Sequence, residues 1–283
     1  MADRLETLLD RFPVSARLSC SGTLEATRGI DEADGAQLHL LRRGRLSCVH
    51  GAASTALIGE PGVLLIARPM AHRLVADPAH PADLASARLQ FDGGSANPIA
   101  AALPPFLHLP LASIHGSREV LALLFDEAFH ERCGRHALVD RLFDVVLIQI
   151  LRELMESGHI RGGLLAGLAH PRLRDALVAM HEAPARDWSL DALAASAGMS
   201  RSAFAGAFRD TLGCTPGTYL QGWRVGLAQQ ALRRGRALKV IAGEVGYGSE
   251  AALSRAFKAQ TGASPRQWRA RTLSGGARSA ESA

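Results

Sequence analysis

A pattern near the C-terminal end of the chain occurs twice, and it leaves few folds open. Residues 189–220 read SLDALAASAGMSRSAFAGAFRDTLGCTPGTYL, and residues 238–269 read LKVIAGEVGYGSEAALSRAFKAQTGASPRQWR. Ala194 and Gly198 recur as Ala242 and Gly246, 48 positions on. Ser200, Phe208, Gly213 and Pro216 recur as Ser249, Phe257, Gly262 and Pro265, 49 positions on. Each copy spells a helix, a glycine free to turn left-handed, a serine cap and a second helix. That grammar is how a chain presents a helix to the major groove of DNA.

The faces of these helices follow from spacing. In the first copy Ser189 caps a helix whose apolar side is Leu190, Leu193, Ala194 and Ala197, and Met199 plugs the turn. Phe204 and Phe208, four apart, face inward on the second helix. That leaves Arg201, Ser202, Ala205, Gly206 and Arg209 outward. In the second copy Ile241, Ala242, Val245, Leu253 and Phe257 face in, and Glu250, Ala251, Ser254, Arg255 and Lys258 face out. Between the copies, TYLQGWRVGLAQQALRRGR carries a stripe of Leu220, Trp223, Leu227 and Leu232 that ends at Gly235. One continuous helix there would hold the two units rigidly, spaced to reach successive grooves about 34 Å apart.

Charge divides the chain in the same place. Residues 171–283 hold 16 Lys or Arg against 8 Asp or Glu, whereas residues 1–170 hold 16 against 19, so +8 and −3 sum to the net +5. A basic half beside a mildly acidic one predicts a polyanion partner for the C-terminal half alone. The longest apolar run, around Val145–Leu151, is interrupted by polar residues and far short of a membrane span. The N-terminal MADRLETLLDRF is amphipathic and lacks the apolar core of a signal peptide. Cys20, Cys48, Cys133 and Cys214 lie far apart with no C-x-x-C, which fits reduced thiols and a cytoplasmic setting.

The N-terminal half changes period midway. Residues 14–92 read as short strands broken by Gly and Pro, among them 37–51, 61–70 and 85–94, and favour an antiparallel barrel or sandwich. Residues 117–134 and 136–158 are helical; the second carries Leu138, Leu142, Val145, Val146, Gln149, Ile150 and Leu154 at helical steps and stops at Gly158. Residues 161–170 are the expected linker, Pro171 opens the next helix, and the small polar tail 272–283 is expected to be disordered. The fold class is α+β in two domains: a barrel-plus-helices domain at 1–160 (barrel about 14–110, helices about 117–158) and an all-α domain at 171–271.

The motifs LAASAGMSRSAFAGAFRDTLGCTPGTYLQGWRVGLAQQAL and IAGEVGYGSEAALSRAFKAQTGASPRQWR resemble those of the AraC/XylS transcriptional regulators, over about 100 residues from 172 to 271. The resemblance implies promoter binding by two helix-turn-helix units, with readers on 201–209 and 250–258: Arg201, Ser202, Ala205, Arg209, Glu250, Ala251, Ser254, Arg255 and Lys258. Gly206 stands where the family has a basic residue on the first reading helix, Leu253 where an aromatic is usual and Ala259 where a basic residue is usual. The first helix is therefore expected to give phosphate contacts and shape readout, and Arg255 with Glu250 more of the direct base reading. RNA polymerase is a further partner of such regulators.

The order of barrel, two helices and DNA unit also resembles the cupin-type sensor domains fused to many of these regulators. That resemblance implies a ligand- or oxidant-gated barrel and a homodimer made through the helices after it. Effector or redox candidates are Cys20, Cys48, His39 and His72. His39, His50 and His72 include no H-x-H pair with a trailing Glu, so neither a metal nor another cofactor is expected. The competing reading is a cupin-type metal-dependent enzyme tethered to DNA; a regulator without enzymatic activity is the preferred one.

Overall fold

The computed structural model describes residues 3–32, 35–51, 54–158, 160 and 162–280. The chain divides into two units: Pro13–Ser95 with Ile99–His159, and Met1–Phe12 with Ala96–Pro98 and Ile160–Ala283. Among the described residues no helix is long and apolar enough to cross a membrane.

The first unit is a sandwich of antiparallel strands. Its strands are β1 (Val14–Leu24), β2 (Thr27–Ile30), β3 (Ala36–Arg43), β4 (Leu46–His50), β5 (Ser54–Ile58), β6 (Gly62–Ile66), β7 (His72–Ala76), β8 (Ala82–Phe91) and β9 (Phe106–Pro110). They form one sheet in the order β1-β8-β3-β6-β9 and a second in the order β2-β7-β4-β5. Residues opposite one another on antiparallel strands share a face, so register states what each side chain meets. His39 lies opposite Ser86, Leu41 opposite Leu84, and Cys48 opposite Leu74. Leu41, Leu46, Cys48, Ile58, Leu64, Ile66, Leu74 and Leu84 close an apolar core between the sheets.

Three helices complete this unit: α2 (Pro98–Ala102), α3 (Arg118–Phe129) and α4 (Arg135–Glu156). Edge strand β1 would offer unpaired N–H groups to other strands, and α4 covers them. Asp144 accepts from the Ala16 N–H at 2.7 Å and Asp140 from the Leu18 N–H at 2.7 Å, with Arg17 paired to Asp140 at 3.2 Å. Two carboxylates four apart on one helix face thus stand in for a neighbouring strand. The apolar stripe expected on α4 is largely spent within the unit, since Leu142, Val146, Ile150 and Leu154 are buried. Leu138 and Val145, seven apart, stay 40% exposed each.

The second unit contains α1 (Glu6–Arg11), α5 (Gly163–Ala169), α6 (Leu173–Glu182), α7 (Leu190–Ser196), α8 (Arg201–Leu212), α9 (Pro216–Arg233), α10 (Leu238–Glu244), α11 (Glu250–Thr261) and α12 (Pro265–Ala280). Central α9, 18 residues or about 27 Å long, buries residues on most of its circumference. Trp223 stacks on His181 with ring centroids 3.8 Å apart and meets Phe12 edge-on at 4.9 Å.

Three boundaries differ from the sequence expectation. Residues 1–12 group with the helical unit and not with the barrel, because Leu5, Leu8 and Phe12 are buried and the Gln230 side chain donates to the Arg11 carbonyl. The Phe12 ring packs on α9 at Gly226, 3.5 Å from where a Cβ would stand. Most of the expected linker 161–170 is α5, whose Leu164, Leu165 and Leu168 are buried; residue 161 lies outside the described residues. Helix α12 runs through 272–280 of the expected disordered tail, and the Thr272 hydroxyl donates to the Trp268 carbonyl at 3.0 Å. Residues 281–283 lie outside the described residues.

Candidate nucleic-acid interface

Both copies of the repeat close their turns with the same hydrogen bonds. The Met199 N–H donates to the Ala194 carbonyl at 2.9 Å, and the Tyr247 N–H to the Ala242 carbonyl at 2.8 Å. This six-residue closure needs a left-handed residue just before the donor, and Gly198 (φ +60) and Gly246 (φ +86) supply it. The next helix is then capped alike: Ser200 accepts from the Ala203 N–H and Ser249 from the Ala252 N–H. Gly213 and Gly262, at φ +75 and +72, end α8 and α11. The offset grows from 48 to 49 because Gly248 lengthens the second turn by one residue.

Buried phenylalanines fix which faces remain outside. Phe204 and Phe208 are fully buried on α8, and Leu253 and Phe257 on α11. Of the expected readers, Arg201, Ser202 and Arg209 on α8 are exposed and Ala205 is half-buried; on α11 Glu250, Ala251, Arg255 and Lys258 are exposed and Ser254 is half-buried. Arg201 pairs with Asp191 of α7 at 3.7 Å. Both partners are exposed, so the pair is weak and easily exchanged for a phosphate. Nothing lies within 4 Å of a Cβ built on Gly206, which leaves the middle of α8 shallow. Glu250 sits in the first turn of α11 and Arg209 in the last turn of α8, where the helix dipole favours each sign.

Arg224 is the residue that sequence reasoning missed. On α9 it reads as one more basic surface position, yet its guanidinium is a clamp. It donates to the Pro184 carbonyl at 2.7 Å, the Arg186 carbonyl at 2.9 Å and the Gly246 carbonyl at 3.4 Å, and lies 5.8 Å from the centre of the Tyr247 ring. One side chain thereby ties the loop before α7 to the turn before α11. No local signal announces it, since the partners are carbonyls 22 to 40 residues away. His181 donates to or accepts from the Tyr219 hydroxyl at 2.7 Å. Burial, with Arg11 nearby, holds its imidazole neutral down to about pH 3, so it serves the fold as an aromatic plate.

In the sandwich, the structure brings two of the four effector candidates together. His39 Nε2 lies 3.1 Å from His72 Nε2, and His72 Nδ1 lies 2.9 Å from the Met70 carbonyl. A carbonyl only accepts, so His72 carries its proton on Nδ1 and receives at Nε2. His39 must then donate from Nε2, leaving its Nδ1 to accept from the Ser86 hydroxyl at 2.8 Å. Burial, His72 and Arg28 push the His39 pKa down to about 3, so His39 is neutral. His50 stacks on Phe106 at 4.6 Å. Among the described residues no group of three or more His, Cys, Asp or Glu is placed to hold a metal. Cys48 is fully buried in the apolar core, and burial raises its thiol pKa to about 11, which suppresses the reactive thiolate. Cys20 is half-buried at a register shift in β1 and lines an interior cavity.

Comparison with known proteins agrees with this architecture. Residues 3–156 match a family described as cupin, and residues 193–271 match a helix-turn-helix domain. An AraC-like transcription regulator of Streptomyces lividans is 40% identical over 171 residues, covering 59% of this chain and 56% of that protein. The HTH-type transcriptional regulator AlkR of Acinetobacter baylyi is 35% identical over 187 residues, covering 64% and 61%. The chain thus spans a little over half the length of the relatives it matches. Among solved structures, the DNA-binding domain of AdpA in complex with a target DNA is 32% identical, with 36% of this chain and 93% of that one covered and a TM-score of 0.35. The cupin profile covers more than half of the chain, so the chain belongs to the cupin family, and it carries a helix-turn-helix domain at residues 193–271 like that of the AraC-like relatives.

Proposed function

We propose that this protein is a sequence-specific regulator that binds promoter DNA through α8 and α11 together. The observation that carries the reading is the pair of identically closed and capped turns, each leaving one helix face exposed, on a single central helix. An α9 of about 27 Å, with a bundle at each end, suits the roughly 34 Å repeat of the major groove. Arg255 and Glu250 read bases, while Arg201, Ser202, Ala205, Arg209, Ala251, Ser254 and Lys258 follow the backbone and the groove's shape. A promoter fragment should compete at least about a thousandfold better than random DNA at fixed salt; equal competition would leave only nonspecific binding.

Two substitutions separate the roles. Arg255→Ala should weaken specific binding by about 1–3 kcal/mol and relax the base preference at one position; an unchanged preference in a binding-site selection would remove it from base reading. Arg209→Ala should weaken all DNA alike and lower the slope of log affinity against log salt by about one. A slope equal to that of the parent would mean that Arg209 touches no phosphate.

The sandwich gates this activity in response to a small molecule or an oxidant, and the exposed Leu138 and Val145 of α4 supply the surface for a homodimer. The protein works in the cytoplasm, with RNA polymerase as the machinery it recruits or excludes. It is a regulator and not an enzyme.

A further inference from the structure

The central helix is not a stiff spacer by itself. Its interior holds Gly222 and Gly226, one turn apart on either side of Trp223 and Arg224. Glycine is the poorest helix former after proline, and glycine sites are among the places where long helices bend. Two bundles joined by such a helix alone would swing and turn against each other. A second connection joins them. The segment 183–188 leads into α7, and the turn at 246–248 leads into α11. A Cβ on Gly246 would stand 2.7 Å from the Ala185 Cα and 2.9 Å from the Ala185 carbonyl oxygen, so segment and turn meet backbone to backbone.

Arg224 closes this contact with every nitrogen of its guanidinium. Its Nε donates to the Pro184 carbonyl at 2.7 Å, Nη2 to the Arg186 carbonyl at 2.9 Å and Nη1 to the Gly246 carbonyl at 3.4 Å. The planar fork holds these three directions fixed relative to one another. The segment it grips is braced in turn. The Trp188 indole N–H donates to the Ala183 carbonyl at 3.0 Å, the Arg186 N–H donates to the same carbonyl at 3.2 Å, and the Arg186 guanidinium lies 4.3 Å from the centre of the Trp188 ring. Ser189, next in the chain, caps α7. Helix α9, the segment 183–188 and the turn at 246–248 thus make a closed frame, joined at one side chain. A frame fixes rotation as well as distance. Each base pair added between two sites on DNA moves the second about 3.4 Å along the axis and about 35° around it. Readers held in a frame do not follow that movement, and readers on a bent helix do.

We propose that Arg224 is a positioning residue that sets the spacing of α8 and α11, and with it the spacing of the two sub-sites that the protein accepts on one duplex. The proposal rests on the reading of α8 and α11 as DNA readers and names what sets their phase. The test takes a duplex recovered by selection from random sequences and inserts or removes one or two base pairs between its sub-sites. The full chain should prefer the parent spacing at least about tenfold, the loss of one reader's base contacts. Arg224→Gln should bind all spacings within about threefold of one another and keep the base preference of each sub-site. Arg224→Lys keeps the charge without the fork; its spacing preference should fall below that of the parent, and it carries the test should the Gln variant misfold. A merely structural role would lower affinity at every spacing alike and leave the preference intact. That result overturns the proposal, as does a parent chain indifferent to spacing. A measurement without DNA keeps the two readings apart. Spin labels on ketone-bearing residues placed at 210 and 259, exposed on α8 and α11, report the distance between the helices by double electron–electron resonance. The parent should give one narrow distance, and Arg224→Gln a distribution about twice as wide. Equal widths overturn the frame and leave DNA reading in place. The expected broadening, in a chain with no sequence preference on DNA, supports the frame and removes the DNA reading.

Discussion

Replacing Phe208 by Ala is expected to remove a large part of the stability of the helical unit. The ring is fully buried on α8, 5.5 Å from Phe204 and edge-on to Tyr219 at 5.6 Å, so no neighbour can refill the space without leaving its own packing. Large-to-small changes of this kind cost about 3–5 kcal/mol, against a total of roughly 5–15 kcal/mol for a domain. The chain carries a built-in reporter, since its three tryptophans, Trp188, Trp223 and Trp268, all belong to the helical unit. Urea unfolding followed by tryptophan fluorescence should show a midpoint lowered by about 1–3 M at unchanged slope. A midpoint within about 0.5 M of the parent would show that the ring is not a keystone of α8. Because α8 is held to the unit through this ring, DNA affinity should fall with stability.

Gly246→Ala should cost about twice what Gly198→Ala costs, although the two glycines occupy equivalent places in the repeat. Both are left-handed, and giving either a Cβ costs roughly 1–2 kcal/mol from handedness alone. Around Gly198 nothing lies within 4 Å of the added atom. At Gly246 it would stand 2.7 Å from the Ala185 Cα, 2.9 Å from the Ala185 carbonyl oxygen and 3.0 Å from the Arg224 guanidinium. Two of those atoms are backbone, and the third is held by its three carbonyls. Overpacking adds about 1–3 kcal/mol, for a total near 2–5 kcal/mol. The same urea experiment decides it, and equal losses for the two variants would mean that the loop before α7 yields freely.

The asymmetry shows how far the repeat could be read from its letters. Caps, turns and inward phenylalanines are interactions among residues within about five positions, and each was legible: Ser189, Ser200 and Ser249 cap, Gly198 and Gly246 turn, and Phe204, Phe208, Leu253 and Phe257 are buried. The helices at Arg118–Phe129 and Arg135–Glu156 were legible for the same reason, as was the antiparallel character of the strands. The leucines at 164, 165 and 168 hid a helix because three flanking and internal glycines make the stretch look like a linker. The exposed faces followed by subtraction, which left unseen that Arg201 is paired with Asp191.

By itself, then, the chain's order of residues determined two half-molecules of different character, a twice-written turn and the side of each helix turned to solvent. Tertiary structure alone decided that residues 1–12 complete the helical unit, that Arg224 joins the loop before α7 to the turn before α11, and that Arg28 and Arg88, sixty positions apart, open on one cavity. The physical reason is range. A cap or a glycine turn satisfies backbone groups a few bonds away, so its pattern is written locally. A carbonyl met by a distant guanidinium, or two strands set in one register out of several with the same apolar alternation, is chosen by the packing of the whole unit.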